Sequence, residues 1–237
     1  MAHITVVSSA TGAAGKSFVS TALADSFTRI NGAGRVLLLD LCHPFGTLDA
    51  FLSKSEERLF DLGDILDGRC DALSCELDTP IGFRLLPGCI RPDWTLQHDK
   101  FKALLYELGD RYDEIIIDCP SYDIQRIKSA FSLRATGIAV TPLSPFSVSL
   151  TSRLADMFFS SGAENAFLLI NRFRCIKGLP VPNLDDIIDQ AGLRLIGIVP
   201  QTVFENGESV KNTADAFFRI AQRITGKTVQ LPDLYNL

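Results

Sequence analysis

The sequence contains no C-x-x-C pair, and its six cysteines (Cys42, Cys70, Cys75, Cys89, Cys119 and Cys175) follow no regular spacing. Neither a zinc site nor an iron–sulfur bridge is indicated, and reduced, mostly buried thiols are expected. No apolar stretch reaches the roughly 18–20 residues that span a bilayer. Met1 leads straight into the run Ile4-Thr-Val-Val7 with no basic segment before it, which is not the pattern of a signal peptide. A soluble, cytoplasmic protein is expected. Excess basic charge is also missing: 23 Lys and Arg against 28 Asp and Glu give a net charge of −5. That balance argues against a broad nucleic-acid surface, which needs clustered cations to neutralise phosphates, although it leaves room for a local basic patch. There is no low-complexity linker and no internal repeat, so residues 1–237 are read as one domain. With 46% hydrophobic and 22% charged residues, the chain has the composition of a globular protein able to bury a sizeable core.

What is present is an alternation of short apolar runs with helix-like segments. The strand candidates are Ile4–Ser8, Arg35–Asp40, Phe83–Leu86, Glu114–Asp118, Gly137–Thr141, Ala166–Asn171 and Leu195–Val199. They are almost continuously apolar, as strands covered on both faces must be. Helices are expected over Ser17–Ile30, Leu59–Leu66, Asp99–Leu108, Ser147–Phe159, Asn183–Gln190 and Glu208–Thr225, each marked by a capping residue, a proline or a terminal glycine. The fold class is therefore α/β: a doubly wound, mostly parallel sheet with helices on both faces. In such sheets ligands bind at the strand C-termini, where Asp118-Cys-Pro120, Thr141-Pro142 and Val199-Pro200 fall.

Ser9-Ala-Thr-Gly12-Ala-Ala-Gly15-Lys16-Ser17 lies directly between the first strand and the first helix. A phosphate needs converging backbone N–H groups, and a tight glycine loop at a helix N-terminus supplies them. Lys16 would reach the β and γ phosphates, and the Ser17 hydroxyl would ligate Mg²⁺. The strict G-x-x-x-x-G-K-[ST] pattern fails at its first position, where Ala10 stands. A glycine-rich turn without a ligand is the alternative. The spacing of Gly12 and Gly15 does not fit a dinucleotide fingerprint.

This segment resembles the deviant phosphate loop K-G-G-x-G-K-[ST] of the MinD/ParA family. Thr11 stands where that family has its signature lysine, Gly12 and Ala13 stand for its two glycines, and Ala14 fills the variable position before Gly15-Lys16-Ser17. Further matches follow in order. Val36-Leu-Leu-Leu-Asp40 with Leu48-Asp49 is similar to the family's switch I, and Tyr112–Pro120 to its Walker B strand. Thr141–Leu150, Leu169-Ile-Asn171-Arg172, Ile196-Gly-Ile-Val-Pro200 and the closing Ala216–Gly226 correspond to later motifs. The resemblance implies ATP or ADP with Mg²⁺ bound at the strand C-termini, in face-to-face homodimers. It implies a nucleotide site of Gly12, Ala13, Ala14, Gly15, Lys16, Ser17, Asn171 and Pro200. Ser17, Asp40 and Asp118 would serve Mg²⁺, the two aspartates through water, and Lys16 and Asp40 would serve catalysis.

Three departures qualify what the resemblance implies. Thr11 has neither the reach nor the charge of the lysine that crosses the family's dimer interface, and losing such a cation costs catalysis. Cys42 occupies the position of the aspartate that orients the attacking water, and a neutral thiol is a poor acceptor. The C-terminal stretch Lys227–Leu237 carries Pro232 and one lysine where MinD has a basic amphipathic helix, so a direct membrane anchor is not expected. Arg219, Arg223 and Lys227 fall at the spacing of one helical face, readable either as a DNA contact or as a solvated face. Leu39–Asp49 most resembles MinD relatives attached to envelope machines, of the CpaE/TadZ pilus-localisation and BcsQ cellulose-secretion kinds, although a full CpaE architecture with a receiver-like N-terminal domain is not expected.

The expected function is an ATP-binding protein that positions or regulates a cell-envelope or division machine, as septum-site-determining and pilus-assembly relatives do. It would act through a protein partner in a localised complex at the inner face of the membrane, with weak or absent hydrolysis, and nucleic acid is not an expected partner. The alternatives are a nucleotide-free dimeric scaffold and an active ATPase of the same type.

Overall fold

A computed structural model describes residues 1–42, 44, 46, 48–121, 123–174, 183–201 and 207–231. Residues 43, 45 and 47 of the segment likened to switch I, Cys175 and the residues after 231 lie outside the described residues. The sheet contains β1 (His3–Ser8), β2 (Val36–Asp40), β3 (Leu77–Asp78), β4 (Arg84–Leu86), β5 (Glu114–Asp118), β6 (Ala135–Pro142), β7 (Asn165–Phe173) and β8 (Arg194–Pro200). Their spatial order is β3-β4-β2-β5-β1-β6-β7-β8. Every pairing is parallel except that of β3 with β4.

Alternate residues of the central strands feed two separate cores, which is why their sequences are apolar throughout. Ile115 and Ile117 of β5 join the core under α5 (His98–Gly109), α6 (Ile124–Ala130), α7 (Pro145–Ser160) and α8 (Leu184–Ala191). Ile116 joins the opposite core under α1 (Lys16–Asn31) and α9 (Gly207–Ile224). All three isoleucines are fully buried, and each such side chain stabilises the fold by roughly 1.5–3 kcal/mol.

The seven expected strands are present, with ends shifted by one or two residues; the two-residue edge strand β3 was not anticipated. Four short helical segments were also missed: α2 (Leu48–Phe51), a 3₁₀ turn at Ser55–Glu57, α4 (Ala72–Cys75) and α6. The helix expected over Leu59–Leu66 is shorter, forming α3 (Leu62–Leu66). Asp61 and Asp64 close a reciprocal capping box there, each carboxylate accepting the other's backbone N–H at 3.2 Å. That cap leaves Leu59 and Phe60 outside the helix and exposed.

The expected row of three cations on the last helix does not form. α9 stops at Ile224, before Lys227. The Arg223 guanidinium turns inward and donates to the carbonyls of Ile196 (2.8 Å), Val229 (2.9 Å) and Gln230. Among the described residues no helix is long and apolar enough to cross a membrane.

Candidate functional site

Strand register assembles the site. β2 and β5 pair with Asp40 opposite Asp118, and β1 pairs with β5 so that Val7 lies opposite Asp118. The C-terminal ends of three adjacent strands therefore deliver Asp40, Asp118 and the Ser9–Gly15 loop to one edge. From that loop α1 begins at Lys16, directly after Gly15, with no side chain capping its N-terminus. Uncapped N–H groups at the start of a 16-residue helix are free to meet an anion.

Ser17, expected as the first residue of the helix, is the second residue of α1. Its hydroxyl donates to Asp118 Oδ2 at 2.7 Å, and the hydroxyl of Ser20, one turn on, donates to Asp118 Oδ1 at 3.0 Å. Lys16 Nζ donates to Ser121 Oγ at 2.9 Å, and Ser121 lies 3.0 Å from Ser9 Oγ. The Ser9 hydroxyl donates to the Thr11 carbonyl at 2.6 Å, which fixes the curve of the loop. Gly12 is exposed, Ala14 is buried, and Ala13 adopts a left-handed backbone with φ 57°.

Gly15 is left-handed at φ 88°, and a Cβ there would fall 2.4 Å from Asn171 Nδ2. The missing side chain lets the Asn171 carboxamide reach over the loop and donate to the Ala14 carbonyl at 2.9 Å. Asn171 thus ties the end of β7 to the loop. Beside it opens a cavity of about 330 Å³ lined by Gly15, Phe18, Phe51, Asn171, Pro200 and Gln201, together with Arg172. Pro200, at the end of β8, forms part of its wall.

On the other side of Asp118, the segment after β2 folds around Asp40. The Asp40 carboxylate is fully buried and accepts the backbone N–H of Cys42 (2.8 Å) and of Leu48 (3.0 Å). Burial first, and then the neighbouring Asp118, push the Asp40 carboxyl above the usual range. Burial also raises Asp118, against the opposing pull of its Ser17 and Ser20 hydrogen bonds and of Lys16. Cys42 Sγ lies 3.6 Å from the Asp118 carbonyl and 3.7 Å from its Oδ2. Burial, followed by the two carboxylates, holds Cys42 strongly toward the neutral thiol.

The ligand atoms of Asp40, Cys42 and Asp118 lie within 4.8 Å of one another. Two carboxylates and the Ser17 hydroxyl are hard oxygen donors that fit Mg²⁺, and a cation would relieve the destabilised carboxylate pair. The Cys42 sulfur is too soft to contribute to such a site.

Sequence reasoning missed several participants. Ser9, Ser20 and Ser121 are common residues that gain a role only through the register of β1 and β5. Phe18 and Phe51 line the cavity from two helices that are distant in sequence. Arg58 is nine-tenths buried and bonds Asp49 Oδ2 (3.1 Å), Asp61 Oδ2 (2.7 Å) and the Gly88 carbonyl (2.8 Å). It clamps α2, and through Leu48 the Asp40 carboxylate, to the rest of the domain.

Comparison with known proteins agrees with this architecture. No family model matches the chain. The septum site-determining protein MinD of Bacillus subtilis (strain 168) is 28% identical over 248 residues, covering 98% of this chain and 92% of that protein. Among solved structures, the MinC:MinD cell division protein complex of Aquifex aeolicus superposes with a TM-score of 0.84 at 21% identity, covering 98% of this chain and 99% of that one. MinD of Pyrococcus horikoshii OT3 complexed with Mg-ADP gives 0.79 at 23% identity, covering 94% and 96%. Sequence likeness to MinD proteins thus runs along nearly the whole chain, and the eight-stranded, mostly parallel sheet is the fold of MinD/ParA-like structures.

Proposed function

We propose that the protein binds ATP or ADP with Mg²⁺ at the loop Gly12–Ser17 and acts as a slow or non-hydrolysing positioning factor. In this reading it recruits a protein partner of a division or envelope machine. The observation that carries the proposal is the convergence of Lys16, Ser17 and Asp118 at the phosphate loop while Thr11 and Cys42 stand where the family has a lysine and an aspartate. Binding would need Lys16 Nζ to exchange Ser121 Oγ for a phosphate oxygen. Asn171 and Pro200 would border the base in the adjoining cavity. Bound Mg²⁺ would neutralise phosphate charge, held by the Ser17 hydroxyl and, through water, by Asp40 and Asp118. Turnover would be limited because the Cys42 thiol neither orients nor deprotonates water, and Thr11 supplies no cation to a partner subunit in a homodimer.

The test is thermal unfolding with and without ATP·Mg²⁺. Ligand at 100 times its Kd stabilises the native state by about 2.7 kcal/mol, which for a domain of this size raises Tm by roughly 5–10 °C. Lys16→Ala, losing a charge-assisted contact of about 1.5–3 kcal/mol, should weaken binding roughly 10- to 150-fold with the fold unchanged. No shift in either protein would leave the nucleotide-free scaffold in its place. Hydrolysis should be far below about 1 s⁻¹, and Thr11→Lys with Cys42→Asp should accelerate it. A wild-type rate of about 1 s⁻¹ would favour the active ATPase.

A further inference from the structure

Outside the phosphate site, two of the described thiols approach each other closely in the segment between α3 and β3. Cys70 Sγ and Cys75 Sγ lie 3.1 Å apart, about 1 Å beyond the ~2.05 Å of a disulfide. Local structure holds them there. α3 ends at Leu66, and the left-handed Gly68 (φ 75°) turns the chain back. Asp71 then caps α4 by accepting the Ser74 backbone N–H at 2.8 Å and its hydroxyl at 2.7 Å. One helical turn brings Cys75, the last residue of α4, back under Cys70. The two thiols are not equivalent: Cys75 is buried, whereas Cys70 is partly open to solvent.

We propose that Cys70 and Cys75 form a reversible dithiol–disulfide pair that low-molecular-weight disulfides oxidise in the folded protein. The Cys70 thiolate attacks one sulfur of the small disulfide and releases a first small thiolate, leaving a mixed disulfide on Cys70. The Cys75 thiolate then attacks Cys70 Sγ, forms the internal bond and releases the second small thiolate. The protein loses two protons and two electrons, and the small disulfide gains the two electrons as its S–S bond breaks. Burial, followed by the adjacent Cys70 sulfur, pushes the Cys75 thiol up, which assigns the entering role to Cys70 and the resolving role to Cys75. Cys75 Sγ also lies 3.8 Å from the carbonyl of Asp61, the residue whose carboxylate grips Arg58. The internal bond therefore forms directly against the clamp on α2. This proposal does not depend on nucleotide binding.

The experiment incubates the folded protein with oxidised glutathione, counts free thiols after denaturation and maps the linked peptides. Wild type should lose two of its six thiols, yield one linked peptide joining Cys70 to Cys75, and recover both thiols with dithiothreitol. Cys75→Ser should instead accumulate glutathione on Cys70, and Cys70→Ser should take up none at Cys75. Circular dichroism checks each variant's fold, and Cys75→Ala replaces Cys75→Ser if the buried hydroxyl unfolds it. Persistence of both thiols in wild type, a linkage mapping to another pair, or uptake at Cys75 in Cys70→Ser would overturn the proposal.

Discussion

Ala13 and Gly15 hold left-handed backbones two residues apart in the phosphate loop, and their costs differ. An L-residue with a Cβ costs about 1–2 kcal/mol in that region, whereas glycine there costs only its extra unfolded-state entropy, about 0.5–1 kcal/mol. Ala13→Gly should therefore stabilise the protein by about 0.5–1 kcal/mol, read as a small rise in urea midpoint with an unchanged slope; a fall would show that the loop relaxes around the alanine. Gly15→Ala carries both penalties, since its Cβ would sit 2.4 Å from Asn171 Nδ2. Strain of about 1–2 kcal/mol and crowding of about 1–3 kcal/mol should together lower stability by roughly 2–5 kcal/mol. The variant should also lose ATP binding, because Asn171 would be displaced from the Ala14 carbonyl. A variant with native stability and native affinity would count against this account of the loop.

At the scale of elements, α2 is a four-residue helix held by an ion cluster rather than by its own length. Arg58 bridges Asp49, Asp61 and Gly88 with almost no access to solvent. Removing one partner of a buried cluster leaves uncompensated charge, so Arg58→Ala should cost about 3–5 kcal/mol in chemical denaturation. Arg58→Lys should recover only part of this, because an ammonium cannot fork to two carboxylates and a carbonyl as a guanidinium does. Equal stabilities for Ala, Lys and wild type would remove Arg58 from this role. The packing of α9 on β8 is equally specific: a Cβ at Gly197 would meet Ile220 Cγ1 at 2.3 Å. Gly197→Ala should therefore destabilise by about 1–3 kcal/mol. These elements also mark where the sequence was legible. β2, β5 and β6 announced themselves because burial on both faces demands unbroken apolar runs. α2, α4 and α6 carry too few residues to show a helical period. Leu59 and Phe60 looked helical only because the capping role of Asp61 depends on its reciprocal bond with Asp64.

On the scale of the whole molecule, the fold was readable because one topology accommodates seven parallel apolar strands with ligand-type turns at one edge. Lys16, Ser17, Asp118 and Asn171 could be found by motif and order along the chain. Ser121, Phe18, Phe51 and Arg58 could not, since only the closed sheet brings them to the site. The same view bears on the proposed partner-mediated mode of action. Its net charge is −5, and the cations that the helical spacing seemed to align are dispersed. Arg223 is engaged by three backbone carbonyls and Lys227 lies beyond the end of α9, which leaves only Arg219 of the three exposed on the helix. Each Lys or Arg near an anionic membrane contributes only about 1 kcal/mol, and such contacts weaken with salt. By contrast, Leu59 is 82% exposed immediately beside Arg58, so an apolar contact stands next to the clamp on α2, where a protein partner could read it. Purified protein should therefore show no robust binding to anionic liposomes in co-sedimentation, nor to duplex DNA in a gel shift, with or without ATP at physiological salt. Robust ATP-dependent binding to either would replace a partner-mediated mode of action with a direct one.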